Sequence, residues 1–129
     1  MNLLITGGCG HIGSYVAENI NKIKKIKKTI IIDNLKSTQL NSLFNSKKKN
    51  NIKFFIKDLT QKDSLNSLKK IDYVIHLASM TNAASSFKRK KEMYRNNIKC
   101  MENVIDFCIS KKVKLIHISS TSVYGKQTD

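Results

Sequence analysis

No apolar stretch in the 129-residue chain approaches the roughly 20 residues that a bilayer-spanning helix needs. A basic leader with a small-residue cleavage site is also missing. Met1-Asn2-Leu3-Leu4-Ile5-Thr6 runs straight into glycines, so the usual secretory signal is excluded and a cytoplasmic protein is expected. Cysteine is scarce: Cys9, Cys100 and Cys108 form no C-x-x-C pair, which argues against a disulfide framework and against structural zinc. The three histidines, His11, His76 and His117, fall on different segments with no carboxylate at ligand spacing, so no metal is expected. Acids are few as well, and 9 of them against 24 Lys and Arg give a formal charge of +15.

Such a charge raises the question of a nucleic acid or a membrane surface as partner. The lysines, however, come in short runs (22–28, 47–49, 88–91) separated by Asn and Ile, and no aromatic residues interleave to stack bases. The excess of Lys reads as a compositional habit spread over every segment, so neither nucleic acid nor membrane is expected as partner. A chain that is 40% hydrophobic and 26% charged has the make-up of one ordinary folded domain.

Short apolar runs alternate with segments of helical period. Met1–Thr6 reads as a buried strand ended by glycine, and Ile12, Val16, Ile20 and Ile23 mark one face of the helix after it. Thr29–Asp33 and Ile52–Lys57 read as the second and third strands, with a short helix around Leu40, Leu43 and Phe44 between them. Thr60-Gln61-Lys62-Asp63 resembles a capping box opening a short helix through Leu65 and Leu68. Asp72–Ala78 reads as the fourth strand and Val113–Ile118 as the fifth. Between them runs a longer helix with Ile98, Met101, Val104, Ile105, Cys108 and Ile109 on one stripe. Strands that are apolar throughout are buried on both faces, and helices between them make the sheet parallel. The fold class is therefore α/β.

Four of the five glycines (Gly7, Gly8, Gly10, Gly13) fall in Thr6-Gly7-Gly8-Cys9-Gly10-His11-Ile12-Gly13, between the first strand and the first helix. In that context glycine permits a tight turn and lets backbone N–H groups approach a pyrophosphate, while the helix N-terminus offers unpaired donors and a positive dipole end. Asp33 ends the second strand 20 residues after Gly13, where a carboxylate can accept from a ribose diol and would repel a 2′-phosphate. NAD is thereby favoured over NADP, with the nearby Lys36 weakening the argument slightly.

The TGGxGxIG loop, Asp33-Asn34-Leu35, Asp58-Leu59, His76-Leu77-Ala78-Ser79, Asn97 and the closing Ser-Ser-x-x-Val-Tyr-Gly together resemble the extended short-chain dehydrogenase/reductases. Within them the match is to the NAD-dependent epimerase/dehydratase branch that acts on sugar nucleotides. The resemblance implies a Rossmann-type doubly wound sheet of about five strands in the order 3-2-1-4-5, truncated before the last strands. Residues 1–129 would be an incomplete NAD(P)-binding domain without its substrate domain. By the same resemblance Gly7, Gly10, His11, Ile12 and Gly13 hold the pyrophosphate of NAD, and Asp33 and Asn34 the adenosine ribose. Asp58 and Leu59 flank the adenine, with the Asp58 carboxylate accepting from its amine. Leu77, Ala78 and Ser79 pass under the nicotinamide side, and Asn97 braces the strand ends. Ser120 is the hydroxyl that meets the substrate oxygen, favoured over Thr121 by its spacing from Val123-Tyr124-Gly125. The implied partners are a nucleotide sugar in the complete enzyme and a second copy of the chain in a homodimer.

In this family a Tyr-x-x-x-Lys pair drives hydride transfer, the lysine lowering the tyrosine pKa so that the phenolate acts as base. Here Tyr15, Tyr73, Tyr94 and Tyr124 are followed at the fourth position by Asn19, Leu77, Ile98 and Thr128. The chain is therefore expected to be a piece of a longer enzyme, inactive alone and prone to associate through the edge of its fifth strand. A non-catalytic dinucleotide sensor and a basic nucleic-acid-binding protein are the alternatives. Of the tempting residues, His76 and His117 read as satisfied structural histidines, and Cys100 and Cys108 as core thiols.

Overall fold

Runs of β-branched residues without polar alternation build the centre of the sheet. The computed structural model describes residues 1–36, 51–81 and 83–119. It contains β1 (Asn2–Thr6), α1 (His11–Asn19) with a 3-10 turn (Ile20–Lys22), β2 (Lys28–Asp33), β3 (Ile52–Ile56), β4 (Tyr73–His76), α2 (Ala83–Lys111) and β5 (Lys114–His117). All strand pairs are parallel, in the order β3-β2-β1-β4-β5. This is the Rossmann-type arrangement expected from the sequence. Its order reverses at β1, so the crevice between β1 and β4 at their carboxyl ends is where such sheets take ligands.

Successive residues of β1 and β2 feed two cores. Leu4, Ile30 and Ile32 point to one face with Leu59, Leu65, Leu68, Ile71, Val74, Cys100, Val104, Phe107, Cys108 and Val113. Leu3, Ile5 and Ile31 point to the other, against Ala17 and Ile20 of α1 and its 3-10 turn. The strand pleat alone accounts for this division. Among the described residues the second face is less fully buried: Phe54, Tyr73, Ile75 and Leu77 are only partly buried there, and Ile116 of β5 is exposed.

Three features differ from the sequence reading. The segment after Thr60 is a series of turns rather than a helix, closed by backbone bonds Gln61 N to Asp58 O, Ser64 N to Gln61 O, Asn66 N to Asp63 O and Leu68 N to Leu65 O. Each spans three residues, the geometry of isolated turns, and a stretch this short lacks the length for cooperative helix growth. The stripe of α2 that meets the sheet runs through Cys100, Val104, Phe107 and Cys108, whereas Ile98, Ile105 and Ile109 face outward. A helix with apolar residues on two sides offers two phases to periodicity, and the sheet selects the one carrying Phe107. Ile12 and Ile23, placed on the buried face of the first helix, are likewise exposed: Ile12 sits in the first turn of α1 beside the glycine loop, and Ile23 follows the 3-10 turn, which changes the phase after Asn19. The helix expected around Leu40, Leu43 and Phe44 lies outside the described residues.

The choice of stripe has a measurable consequence. Phe107→Ala should destabilise the chain by about 3–5 kcal/mol, the usual result of emptying a buried aromatic site, while Ile109→Ala should stay within about 0.5 kcal/mol. Urea unfolding of the two variants decides between the phases.

Candidate functional site

The loop leaving β1 turns back at Gly7, whose N–H donates to the Ile32 carbonyl at 2.8 Å and whose φ of +70° is open to glycine and strained for other residues. A Cβ at Gly7 would also lie 2.5 Å from the Ala78 nitrogen, so the exit of β4 is packed directly on the loop. At Gly13 a Cβ would run into the Gly7 carbonyl and sit 2.7 Å from the Gly8 Cα. The missing side chain lets α1 pack hard on the turn. Gly10 leads the helix in extended geometry, and the first helical bond runs from Ser14 N to Gly10 O. Ahead of it lie the amides of His11, Ile12 and Gly13, with no side-chain cap and no acid in the first turn. His11 and Ile12 are exposed. Uncapped donors and the positive end of the helix dipole together make an anion cradle.

Asp33 closes the other wall. It is 8% exposed, and its two carboxylate oxygens accept separately from Cys9 N–H and Leu35 N–H, each at 2.9 Å. Each oxygen keeps lone-pair capacity for a further donor, which suits a vicinal diol. The same bond to Cys9 ties the glycine loop to the end of β2. Cys9 itself is fully buried, and burial together with the Asp33 charge pushes its thiol up to about 12, so it is chemically inert. Asn34, half-buried, accepts from Lys36 N–H at 3.1 Å.

Asp58 is heavily engaged. One oxygen accepts from the backbone N–H and hydroxyl of Thr60 at 3.0 and 2.7 Å, and the other from the Lys36 ammonium at 2.8 Å. Those partners, Lys36 foremost, hold its carboxyl down at about 2, and the Lys36 ammonium rises in return. Leu59 turns the other way, into the core at 4% exposure, while its carbonyl accepts from the buried Asn103 amide at 2.7 Å. After β4, Leu77 and Ala78 are half-buried and Ser79 is exposed. Asn97 pairs with the backbone of Met80 in both directions, donating to its carbonyl at 3.2 Å and accepting from its N–H at 2.8 Å. The structure thus gathers Gly7, Gly10, Gly13, Asp33, Asn34, Asp58, Ala78 and the Asn97 clamp at the carboxyl end of the sheet. Ser120, with Thr121, lies outside the described residues.

Two polar pairs escaped the sequence reading. Asn103 is a lone amide inside the apolar stripe of α2, a pattern that signals a buried partner without naming it. Thr6 Oγ1 lies 2.7 Å from His76 Nδ1, and the His76 ring stacks on His117 with centroids 5.7 Å apart. His76 is buried as expected, but His117 is exposed, because β5 has no further strand beside it among the described residues. Burial first, and the His117 charge second, hold His76 down at about 4 against an ordinary 6.5. Its folded-state affinity for protons is the lower one, so stability should fall as pH drops from about 6.5 to about 4, by about 3 kcal/mol. His76→Gln should flatten that limb of a urea-midpoint profile taken between these pH values.

Among the described residues no group of His, Cys, Asp and Glu could hold a metal, and no helix is long and apolar enough to cross a membrane. The family model described as NAD dependent epimerase/dehydratase family matches residues 3–129. The chain belongs to this family. A dTDP-D-glucose 4,6-dehydratase from Dictyostelium discoideum is 36% identical over 128 residues, 95% of the chain and 30% of that protein. The solved UDP-N-acetylglucosamine 4-epimerase of Methanobrevibacter ruminantium, in complex with UDP-N-acetylmuramic acid, is 33% identical at a TM-score of 0.83. The alignment covers 98% of the chain and 40% of that structure. The dTDP-glucose 4,6-dehydratase of Streptomyces venezuelae, solved with NAD bound, reaches a TM-score of 0.92 at 21% identity, over the whole chain and 42% of that structure, a likeness of fold alone. The chain therefore spans 30% to 42% of the length of these epimerase/dehydratase relatives. NAD is the cofactor of the family to which it belongs.

Proposed function

We propose that these residues bind the ADP half of NAD for an enzyme that moves hydride between the cofactor and a carbon of a nucleotide-activated sugar. One observation carries the reading: the buried Asp33 carboxylate, bonded to the glycine loop through Cys9 N–H, stands beside the uncapped start of α1. Diphosphate and ribose recognition are thereby built into one rigid corner. In the assignment we favour, the amides of His11, Ile12 and Gly13 meet the pyrophosphate, and Asp33 with Asn34 meets the ribose. Asp58 and the backbone at Leu59 border the adenine, and Leu77, Ala78 and Ser79 run beneath the nicotinamide, with Asn97 holding that segment through Met80. Ser120 is the proposed contact to the substrate oxygen.

When bound, NAD supplies the hydride acceptor. What these residues contribute is orientation and charge compensation for its phosphates. The 129 residues contain no Tyr-x-x-x-Lys pair, so we expect cofactor binding without sugar turnover from this chain alone. Tyr94, Ile98, Ile105 and Ile109 stand exposed along the outer side of α2, a surface suited to a second copy in a homodimer. Competition calorimetry tests the cofactor reading. ADP-ribose should displace NAD from the full chain while nicotinamide mononucleotide, which lacks the adenosine half, should not; displacement by the mononucleotide alone would contradict it.

A further inference from the structure

The segment leaving β2 is folded by two side-chain-to-backbone turns, Asp33 Oδ1 accepting from Leu35 N–H and Asn34 Oδ1 from Lys36 N–H. Between them Leu35 adopts a left-handed φ of +56°, a strained conformation for a branched residue. The strain is retained where it aims Lys36 away from Asp33 and across to the end of β3. There the ammonium meets an Asp58 carboxylate already fixed by two bonds from Thr60. Lys36 stands three residues from the carboxylate that would face a ribose, yet its charge is spent elsewhere.

We propose that Asp58 is a specificity-determining residue for the cofactor, acting by holding Lys36 away from the ribose 2′ position. The inference rests on the cofactor reading above. A 2′-phosphate would bring a charge of about −1.5 to −2 against Asp33 and needs a nearby cation to be tolerated. Among the described residues the charges at this corner are Asp33, Asp58 and Lys36, net negative, with the ammonium paired at 2.8 Å and also felt by Glu92, which is itself paired with Arg89. The Lys36 side chain is 70% exposed, so among the described residues no packing holds it back from a phosphate once Asp58 ceases to hold it. The pair itself adds little to stability, as exposed ion pairs do, which leaves selectivity as its consequence.

The experiment measures the ratio of NADP to NAD dissociation constants for the full chain at low salt. Asp58→Asn should lower that ratio by about tenfold, and adding Lys36→Met should restore it. A contact between Asp58 and the adenine would weaken both dinucleotides alike and leave the ratio unmoved. Lys36→Met alone, an exposed change, should raise the ratio by no more than about threefold, through the uncompensated Asp58, and it decides the matter if Asp58→Asn does not fold: a rise of about tenfold or more would show that Lys36 already serves the 2′-phosphate and overturns the proposal. An unchanged ratio in Asp58→Asn while NAD still binds overturns the proposal. Failure of the parent chain to bind either dinucleotide would instead remove the cofactor reading, and this proposal with it.

Discussion

Gly13→Ala should reduce NAD affinity by about 100-fold or more and destabilise the fold by about 1–3 kcal/mol. The added methyl meets the Gly7 carbonyl and the Gly8 Cα, both backbone, so no side chain can rotate out of its way. Relief requires α1 to move off the turn. That motion displaces the amides of His11, Ile12 and Gly13 from the place where they converge, and an anion cradle depends on that convergence. Stability falls modestly because the core of α1, Ala17 with Ile20, lies at the far end of the helix. Affinity falls steeply because the binding amides sit at the displaced end. Calorimetric titration and urea unfolding of the same variant separate the two losses. Near-parental affinity in a folded Gly13→Ala variant would show that close helix packing is not what shapes the site.

Asp33→Ala should be comparably severe, by a different route. It removes the acceptor of the Cys9 and Leu35 N–H groups, at a cost of about 1–3 kcal/mol for a buried donor that loses its partner. It also removes the oxygens proposed for the ribose diol, so affinity for NAD should fall by about 30-fold or more. Asp33→Asn distinguishes the roles. Its amide oxygen can serve one of the two backbone donors while the NH₂ group opposes the other, and stability should fall less than in Asp33→Ala. Thermal unfolding with and without NAD reports both effects. An Asp33→Ala variant stabilised by NAD as much as the parent would remove the carboxylate from the binding account.

The parallel character of the sheet and the position of the glycine-rich turn were legible because both depend on local signals, whereas the strand order followed from the family resemblance. Unbroken β-branched runs announce buried parallel strands, and a glycine-rich turn between strand and helix announces close backbone approach. What could not be read depends on partners distant in sequence. Ile98, Ile105 and Ile109 match the helical period as well as Cys100, Val104 and Phe107 do, and only the sheet surface chooses between them. Thr60 reads as a cap, yet the capping oxygen belongs to Asp58, two residues earlier, and turns follow in place of a helix. Lys36 and Asp58 are 22 residues apart, and no spacing rule joins them; they meet because β2 and β3 end side by side. The Asn103 bond to Leu59 likewise spans 44 residues.

The most direct measurement is an amide chemical-shift titration of the nitrogen-15-labelled full chain with oxidised NAD. Binding at the proposed corner should shift Gly10, His11, Ile12 and Gly13 together with Cys9 and Leu35, whose N–H groups report on the Asp33 carboxylate, while Ile109 on the outer side of α2 stays still. Saturable binding that leaves the glycine-loop and Asp33-linked amides unshifted, or no binding by the folded chain, would contradict the assignment of this corner to the dinucleotide.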